Sequence, residues 1–414
     1  MQDQKIYSFF FDESSHDRKV TNTEKGINIY MDGNNDLFVG VLWGLNSQTE
    51  DDYRSRYLNF ESFGKKVLGL SKDQELKGTN ISKSNFKYGI SSFNKNTIEI
   101  YNRFFDLIDS NVMLHINLYS KTEFLITSYF NNIIFPKQLI INKPAFIYSI
   151  IKFLFNYRRE ALLKKIFSSE LLSTEEFIFE LKSMMQDVIG KTVNIKRKIH
   201  ELPALKELLY ILNNAEINPT PQEKFEWNYN VIFDGFNLLL EELKINPNRI
   251  NLVIDKEGTG KVLRAAKRIG FKTAIEIDSQ YDPCVRVSDF LSNFFNRLSL
   301  ALYESLKEQS YDDPNSFDFE SKHTLSTDWF DFKNDKPFLL YKKLYKILEE
   351  RKNIYWTSYS GVFFDYQLLL FSLILYIGGK HEDINSFRKY SPKNHVERFN
   401  TFCAQIIKER FNNL

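Results

Sequence analysis

The sequence predicts an α/β fold: a mixed sheet with flanking helices, a large helical insertion and a helical C-terminal region. Three observations predict it. Ile6–Phe11 is an almost unbroken apolar run that stops at Asp12-Glu13, the pattern of a buried strand. Residues 251–277 read strand, helix, strand, the order of a βαβ unit. Between these parts, Lys121 to Lys244 keeps a helical period with no strand–turn–strand pattern. A stretch of that length is too long for a loop in a compact domain.

The elements follow in order. After the first strand, Gly26–Met31 and Asp36–Trp43 read as strands around Asp32-Gly33-Asn34-Asn35, a strong hairpin signal. The first three strands are therefore expected to form an antiparallel meander. Ser47–Leu70 reads as a helix, with Ser47 or Thr49 as N-cap and Glu50, Asp51 and Asp52 in its first turn. Asn96–Ile108 is a second helix, and Val112–Tyr119 alternates as a strand does. The insertion contains four helical stretches: Ala145–Ser168, Thr174–Ile189, Ile199–Asn213 and Trp227–Leu243. Asn251–Asp255 and Phe271–Ile277 are the strands of the βαβ unit, and Gly258–Ile269 is its helix. Pro283 opens a long helix to about Leu306, since proline is tolerated in a first turn. The expected division is 1–120 and 246–307 as two parts of one core, 121–245 as the insertion, and 308–414 as a linker and helical C-terminal region.

Composition narrows the function classes. The 414 residues are 43% hydrophobic, which permits a full core, and the net charge of +2 requires any electrostatic footprint to be local. Cys284 and Cys403 lie far apart and no Cys-x-x-Cys occurs, which argues against structural zinc and fits a reducing cytoplasm. Met1–Lys5 is polar and the run behind it ends too early for a signal peptide. Val362–Ile377 is the most membrane-like stretch. It contains Asp365 and its unbroken apolar part is about half the roughly 20 residues a span needs, so a buried core helix is expected and no membrane partner.

Four carboxylates stand out as chemistry-bearing. Asp12 and Asp255 end strands, Glu75 follows the first helix, and Asp289 lies in the long helix after Pro283. Carboxylates of this kind, distant in sequence, can converge on one edge of a mixed sheet and hold divalent ions through hard oxygen ligands. Two ions about 3.5–4 Å apart stabilise the attacking and leaving oxygens of phosphodiester hydrolysis. Glu13 and Asp278 are spare carboxylates nearby in sequence, and His16 follows Asp12 by one turn's spacing.

These motifs, in this order, resemble the family known as domain of unknown function 3800. The family's Asp-Glu-Ser-Gly falls on Asp12-Glu13-Ser14-Ser15, with Ser15 in place of glycine. Its Glu-x-Lys falls on Glu75-Leu76-Lys77 and its late strand aspartate on Asp255. Its Gln-x-Ala-Asp-Leu falls on Arg286-Val287-Ser288-Asp289-Phe290, where only the aspartate is kept. The resemblance covers Met1–Tyr119 and Ile250–Leu306. It implies a ribonuclease H-like fold and a nuclease dependent on Mg²⁺ or Mn²⁺. Asp12, Glu75, Asp255 and Asp289 would be the ligands, and Lys77 a residue beside them or on phosphate. The family's setting among accessory genes of bacteria and mobile elements implies a role in defence against phage.

A second clue is basic. Lys261, Arg264 and Arg268 recur at three and four residues and share one helical face, where they could track nucleic-acid phosphates. Gly258-Thr259-Gly260-Lys261 is not a phosphate-binding loop, because Asp255 and Val262 stand where that pattern needs glycine and Ser or Thr. The alternative reading is a catalytically inactive scaffold that binds nucleic acid or a protein partner through its insertion or tail. Carboxylates within a metal's reach favour the enzyme; scattered ones favour the binding module.

Overall fold

The computed structural model describes residues 5–14, 22–23, 26–27, 36–156, 162, 165, 172–218, 230–256, 258, 260–307, 324–358 and 366–412. Its centre is a six-stranded mixed sheet. The strands are β1 (Tyr7–Ser14), β2 (Leu37–Asn46), β3 (Met113–Ser120), β4 (Ile250–Asp255), β5 (Thr273–Ile277) and β6 (Ile354–Ser358). They lie side by side in the order β5-β4-β1-β2-β3-β6. β1, β2 and β3 form an antiparallel meander, while β4 joins β1, β5 joins β4 and β6 joins β3 in parallel. The two flanks of the long helical stretch thus meet in one sheet.

Helices cover both faces. They are α1 (Glu50–Leu68), α2 (Lys95–Asp106), α3 (Lys121–Phe130), α4 (Lys143–Asn156), α5 (Thr174–Thr192), α6 (Leu202–Asn214), α7 (Val231–Glu242), α8 (Lys261–Ile269), α9 (Pro283–Lys307), α10 (Lys336–Leu348), α11 (Tyr366–Ile374), α12 (Ile384–Arg388) and α13 (Pro392–Asn412). Successive strand side chains point to opposite faces. Phe10 and Val253 pack with residues of α1, α2, α9 and α10. Phe9, Phe11, Leu252 and Ile254 pack with residues of α7 and α8. Burial on both faces explains why the first strand reads as a continuous apolar run. α9 lies across the middle of its face: Ser288 Oγ–H donates to the Phe10 carbonyl at 3.1 Å, and Phe290 and Phe294 pack against Tyr101 at 5.3 and 4.7 Å between ring centroids.

Three expectations are corrected. The second strand of the meander is Leu37–Asn46. Gly26–Ile27 instead forms a two-residue ladder with Asn22–Thr23, and the 32–35 hairpin cluster lies outside the described residues. The helical stretch is not one unit: residues between Leu125 and Ile217 share a core of their own, whereas α7 packs on the main sheet, with Phe236 edge-on to Phe9 at 4.8 Å. Its apolar stripe, Ile232, Phe233, Phe236, Leu239 and Leu240, serves the sheet. Finally, the C-terminal region is not a helical appendage. Ile354–Ser358 extends the main sheet, and α10, α11 and α13 contribute to its larger core. Of Val362–Ile377, the part up to 365 lies outside the described residues. The rest is α11 followed by a π-turn at Leu375–Gly379, mostly buried. Among the described residues, no helix is long and apolar enough to cross a membrane.

A candidate acidic site at the ends of strands β1 and β4

The register of β1 and β4 fixes the first two members. Phe11 pairs with Ile254 in parallel, so Asp12 and Asp255 are the next residues on neighbouring strands. By the alternation that puts Phe10 and Val253 on the α9 side, Asp12 and Asp255 fall on that side too. Glu13 falls on the opposite side, which removes it as a substitute ligand for this cluster. Both carboxylates accept backbone N–H groups: Asp12 Oδ1 that of Glu13, its neighbour in β1, at 2.7 Å, and Asp255 Oδ1 that of Ser279 at 3.0 Å.

α9 brings the third member. Asp289 is one residue after Ser288, the residue that ties the helix to β1. The 75–78 segment, which leads into a 3-10 turn at Gly78–Asn80, brings the rest, packed so closely on α9 that a Cβ on Gly78 would lie 2.7 Å from Asn293 Cβ. Glycine is needed there for that approach. Lys77 Nζ lies 3.2 Å from Glu75 Oε2, with the lysine exposed and the glutamate half-buried.

The electrostatics tie these groups together. Burial drives the Asp12 carboxyl well above the usual range, and the charges of Asp289 and Asp255 push it the same way, against the Glu13 N–H and Lys77. Burial raises Asp289 to about 6; Lys77 and the Gly78 N–H oppose the rise, while Glu75 and Asp255 add to it. Asp255 is also raised, first by burial and last by Asp278, with the Lys256 and Ser279 backbone and Lys77 opposing. Like charges held in low dielectric favour the protonated forms. As whole residues, Asp12, Asp255 and Asp289 are each half-buried.

A buried ion pair positions these parts, and it was not foreseen from the sequence. Arg286 Nη2 lies 3.1 Å from Glu61 Oε2, and its Nη1 donates to the Ser279 and Gln280 carbonyls at 3.0 and 3.2 Å. Glu61 Oε1 accepts the Leu76 N–H at 3.3 Å. One pair therefore links α1, the segment carrying Glu75 and Lys77, the 279–281 turn and α9. Arg286 stands where the motif comparison expected glutamine. The available signal was Glu61 itself, four residues after Tyr57 on the apolar stripe of α1. Beyond Asp289 on the same helix face, Asn296 Nδ2–H donates to Ser14 Oγ at 2.7 Å, and Asn293 Oδ1 is buried with no partner among the described residues.

Asp278 borders this cluster, where its charge acts on Asp255. Asp278 is engaged at both oxygens by Gln280, at 3.0 Å each. His16 lies outside the described residues. Lys261, Arg264 and Arg268 sit on α8, on the other face of the sheet from α9; Arg264 and Arg268 are exposed and Lys261 is half-buried. Cys284 and Cys403 are both buried and neither is in a disulfide among the described residues.

As acceptor-only oxygens that repel one another, Asp12, Asp255, Asp289 and Glu75 suit a hard divalent cation in kind. Among the described residues, however, no three His, Cys, Asp or Glu groups are placed to hold a single ion. The arrangement gathers the donors at one edge without closing a coordination sphere. No family model, curated protein or solved structure matches the chain.

Proposed function

We propose that the protein is a divalent-metal-dependent nuclease that hydrolyses phosphodiester bonds of nucleic acid on a ribonuclease H-like fold. One observation carries the reading. Asp12, Asp255 and Asp289, from three elements distant in sequence, share one side of one sheet edge, and Asp12 feels the charge of both others. The mixed sheet with the first strand inside it supports the fold that the motifs imply.

Asp12, Asp255, Asp289 and Glu75 would hold Mg²⁺ or Mn²⁺. When bound, the ion supplies a water of lowered pKa and neutralises charge on phosphate oxygens. The chain's own groups do the rest. Lys77, exposed and held by Glu75, reaches a phosphate oxygen and orients the scissile bond. Burial raises the Asp289 carboxyl in the metal-free site, and a bound cation would offset that rise and keep the group ionised as a ligand. The Glu61–Arg286 pair keeps Lys77 and Asp289 in fixed relation.

A second reading is favoured by one specific observation, the lack of a closed ligand cluster among the described residues. It is a scaffold that binds nucleic acid or protein without cleavage. One assay separates them. Purified protein is incubated with labelled DNA and RNA in Mn²⁺ or EDTA, beside an Asp12→Asn variant that melts no lower than wild type. Cleavage in Mn²⁺ only, abolished by Asp12→Asn, is the expected result. Binding without cleavage in every arm establishes the scaffold, and cleavage by Asp12→Asn at the wild-type rate rules out the assigned site.

A further inference from the structure

The C-terminal region carries a cavity of about 760 Å³ that shares no residue with the acidic site. It lies among the π-turn at Leu375–Gly379, α12 and α13. π-turns recur at functional sites because the extra residue opens the helix wall. Here the turn is pressed on α10 so tightly that a Cβ on Gly378 would lie 2.7 Å from the Tyr341 carbonyl oxygen. The floor is buried Tyr376, His381 and Phe402, and the exposed rim includes Lys380, Lys389, Arg398 and Glu397.

Two features of this wall point to a ligand. The first is charge: three cations face one carboxylate. Arg388, just outside the cavity, is neutralised by Asp335 at 2.9 Å. Arg398 and Lys380 instead stand over aromatic rings, 4.0 Å from the Tyr390 centroid and 5.5 Å from that of Phe402. Arg398 also hydrogen-bonds the Tyr376 hydroxyl, and its remaining N–H donors and the Lys380 ammonium are what the wall offers an anion. Lys389 is more screened, since it acts on Asp383. The second feature is His381. It is 7% exposed, and its Nε2 is buried with no hydrogen-bond partner among the described residues. Such an atom costs stability unless something completes it. The contrast with His395 is direct. That ring has Tyr376 O–H at Nδ1 and the Phe387 carbonyl at Nε2, both at 2.9 Å, and is stacked on Phe387 at 3.9 Å. His395 is a completed part of the core, whereas His381 lines the cavity with its buried Nε2 still unpartnered among the described residues.

We propose that this cavity binds a phosphorylated small molecule of nucleotide size, with the phosphate on Lys380 and Arg398 and a hydroxyl or N–H group of the ligand at His381 Nε2. The volume lies within the range of about 300–1,000 Å³ that small-molecule sites occupy, well beyond what phosphate alone fills. Burial drives His381 down to about 4, with His395 and Arg398 acting in the same direction, so the ring meets the ligand uncharged at neutral pH.

The test is calorimetric titration of the full chain in EDTA with AMP, ribose 5-phosphate and inorganic phosphate. The variants are Lys380→Ala/Arg398→Ala, whose exposed side chains leave the fold intact by thermal melting, His381→Gln, and Asp289→Asn as a control. AMP or ribose 5-phosphate should bind more tightly than inorganic phosphate. The double variant should lose about tenfold or more in affinity, because charge-assisted contacts to phosphate are the strong ones. Asp289→Asn should bind as wild type, which keeps this result independent of the acidic site. No measurable binding of any probe overturns the proposal, as does unchanged affinity in the double variant or loss of affinity in Asp289→Asn.

Discussion

The acidic edge of the sheet and the C-terminal cavity are built from opposite materials. The edge collects Asp12, Asp255 and Asp289 from positions up to 277 residues apart (289 − 12), and each carboxyl is driven up by burial. The cavity collects cations from a short stretch between Lys380 and Arg398. Anions that are forced together need a rigid frame to stay together, and the edge has one in β-register and the Glu61–Arg286 pair. Cations on long flexible stems need only rings to lean on. The difference predicts that the acidic edge is sensitive to single substitutions in its frame, while the cavity tolerates them.

The largest expected effect tests that frame. Glu61→Ala leaves the Arg286 guanidinium buried without its carboxylate, and Glu61 and Arg286 side chains are only 6% and 9% exposed. Removing one partner of a buried pair costs roughly 3–5 kcal/mol. Urea unfolding should show a loss of that size. A loss below about 1 kcal/mol would mean that the pair does not hold the frame.

The next effect has the opposite sign. Asp289 titrates at about 6 in the fold against an ordinary 3.8, mainly because of burial. Below pH 3.8 the group is protonated in both states and costs nothing. As pH rises from about 4 to about 6 the unfolded chain releases the proton first, so stability falls. Above about 6 the full penalty is present, roughly 2–3 kcal/mol by linkage. Asp289→Asn keeps an oxygen for the Gly78 N–H and removes the charge. In EDTA its stability advantage over wild type should therefore grow between pH 4 and 6 and then level off. An advantage that is flat with pH would separate Asp289 from the repulsive cluster.

A smaller effect belongs to the cavity. Tyr376→Phe removes the O–H that His395 Nδ1 accepts and leaves that buried nitrogen without it. A cost of about 1–2 kcal/mol is expected from thermal melting. The packing of Tyr376 against Phe399 and Phe402 is kept, so a cost near that of Glu61→Ala would erase the contrast between the two regions.

Much of the acidic edge was legible because strands end where their apolar run ends. Asp12 and Asp255 follow Phe-Phe-Phe and Leu-Val-Ile, and a parallel pairing then makes them neighbours without further information. Asp289 was legible only through a short motif, since an aspartate on a long helix has many uses. Arg286 was read as the loss of a glutamine; its meaning depends on Glu61, 225 residues away, and no local pattern joins them. The strand Ile354–Ser358 was hidden for another reason. Ile-Tyr-Trp-Thr has strong strand composition, but it sits between helices, and only β3 supplies the edge that it completes. The cavity was illegible because Lys380, Lys389 and Arg398 look like any solvated surface until His381 is placed behind them.

The last prediction concerns the basic stripe, where the fold sharpens the sequence reading. β4 and β5 are parallel, so α8 between them runs back from the strand end that carries Asp255. Lys261, at its start, is closest to the acidic edge. A rise of 1.5 Å per residue puts Arg268 about 10 Å further along the helix. That exceeds the Debye length of about 8 Å at physiological salt. Phosphates held at the acidic edge should therefore feel Lys261 strongly and Arg268 weakly. Stability should change by no more than about 0.5 kcal/mol in any single alanine variant, because the buried anchors of α8 are Val262, Ala265 and Ala266. The readout is the slope of log affinity for a labelled duplex against log salt, measured with Ca²⁺ in place of Mn²⁺. Lys261→Ala should reduce the slope by about 0.9, the value for one phosphate contact, and Arg268→Ala should leave it nearly unchanged. Equal reductions from the two would place nucleic acid along the whole outer face of α8. An unchanged slope in both would make the stripe an ordinary solvated face.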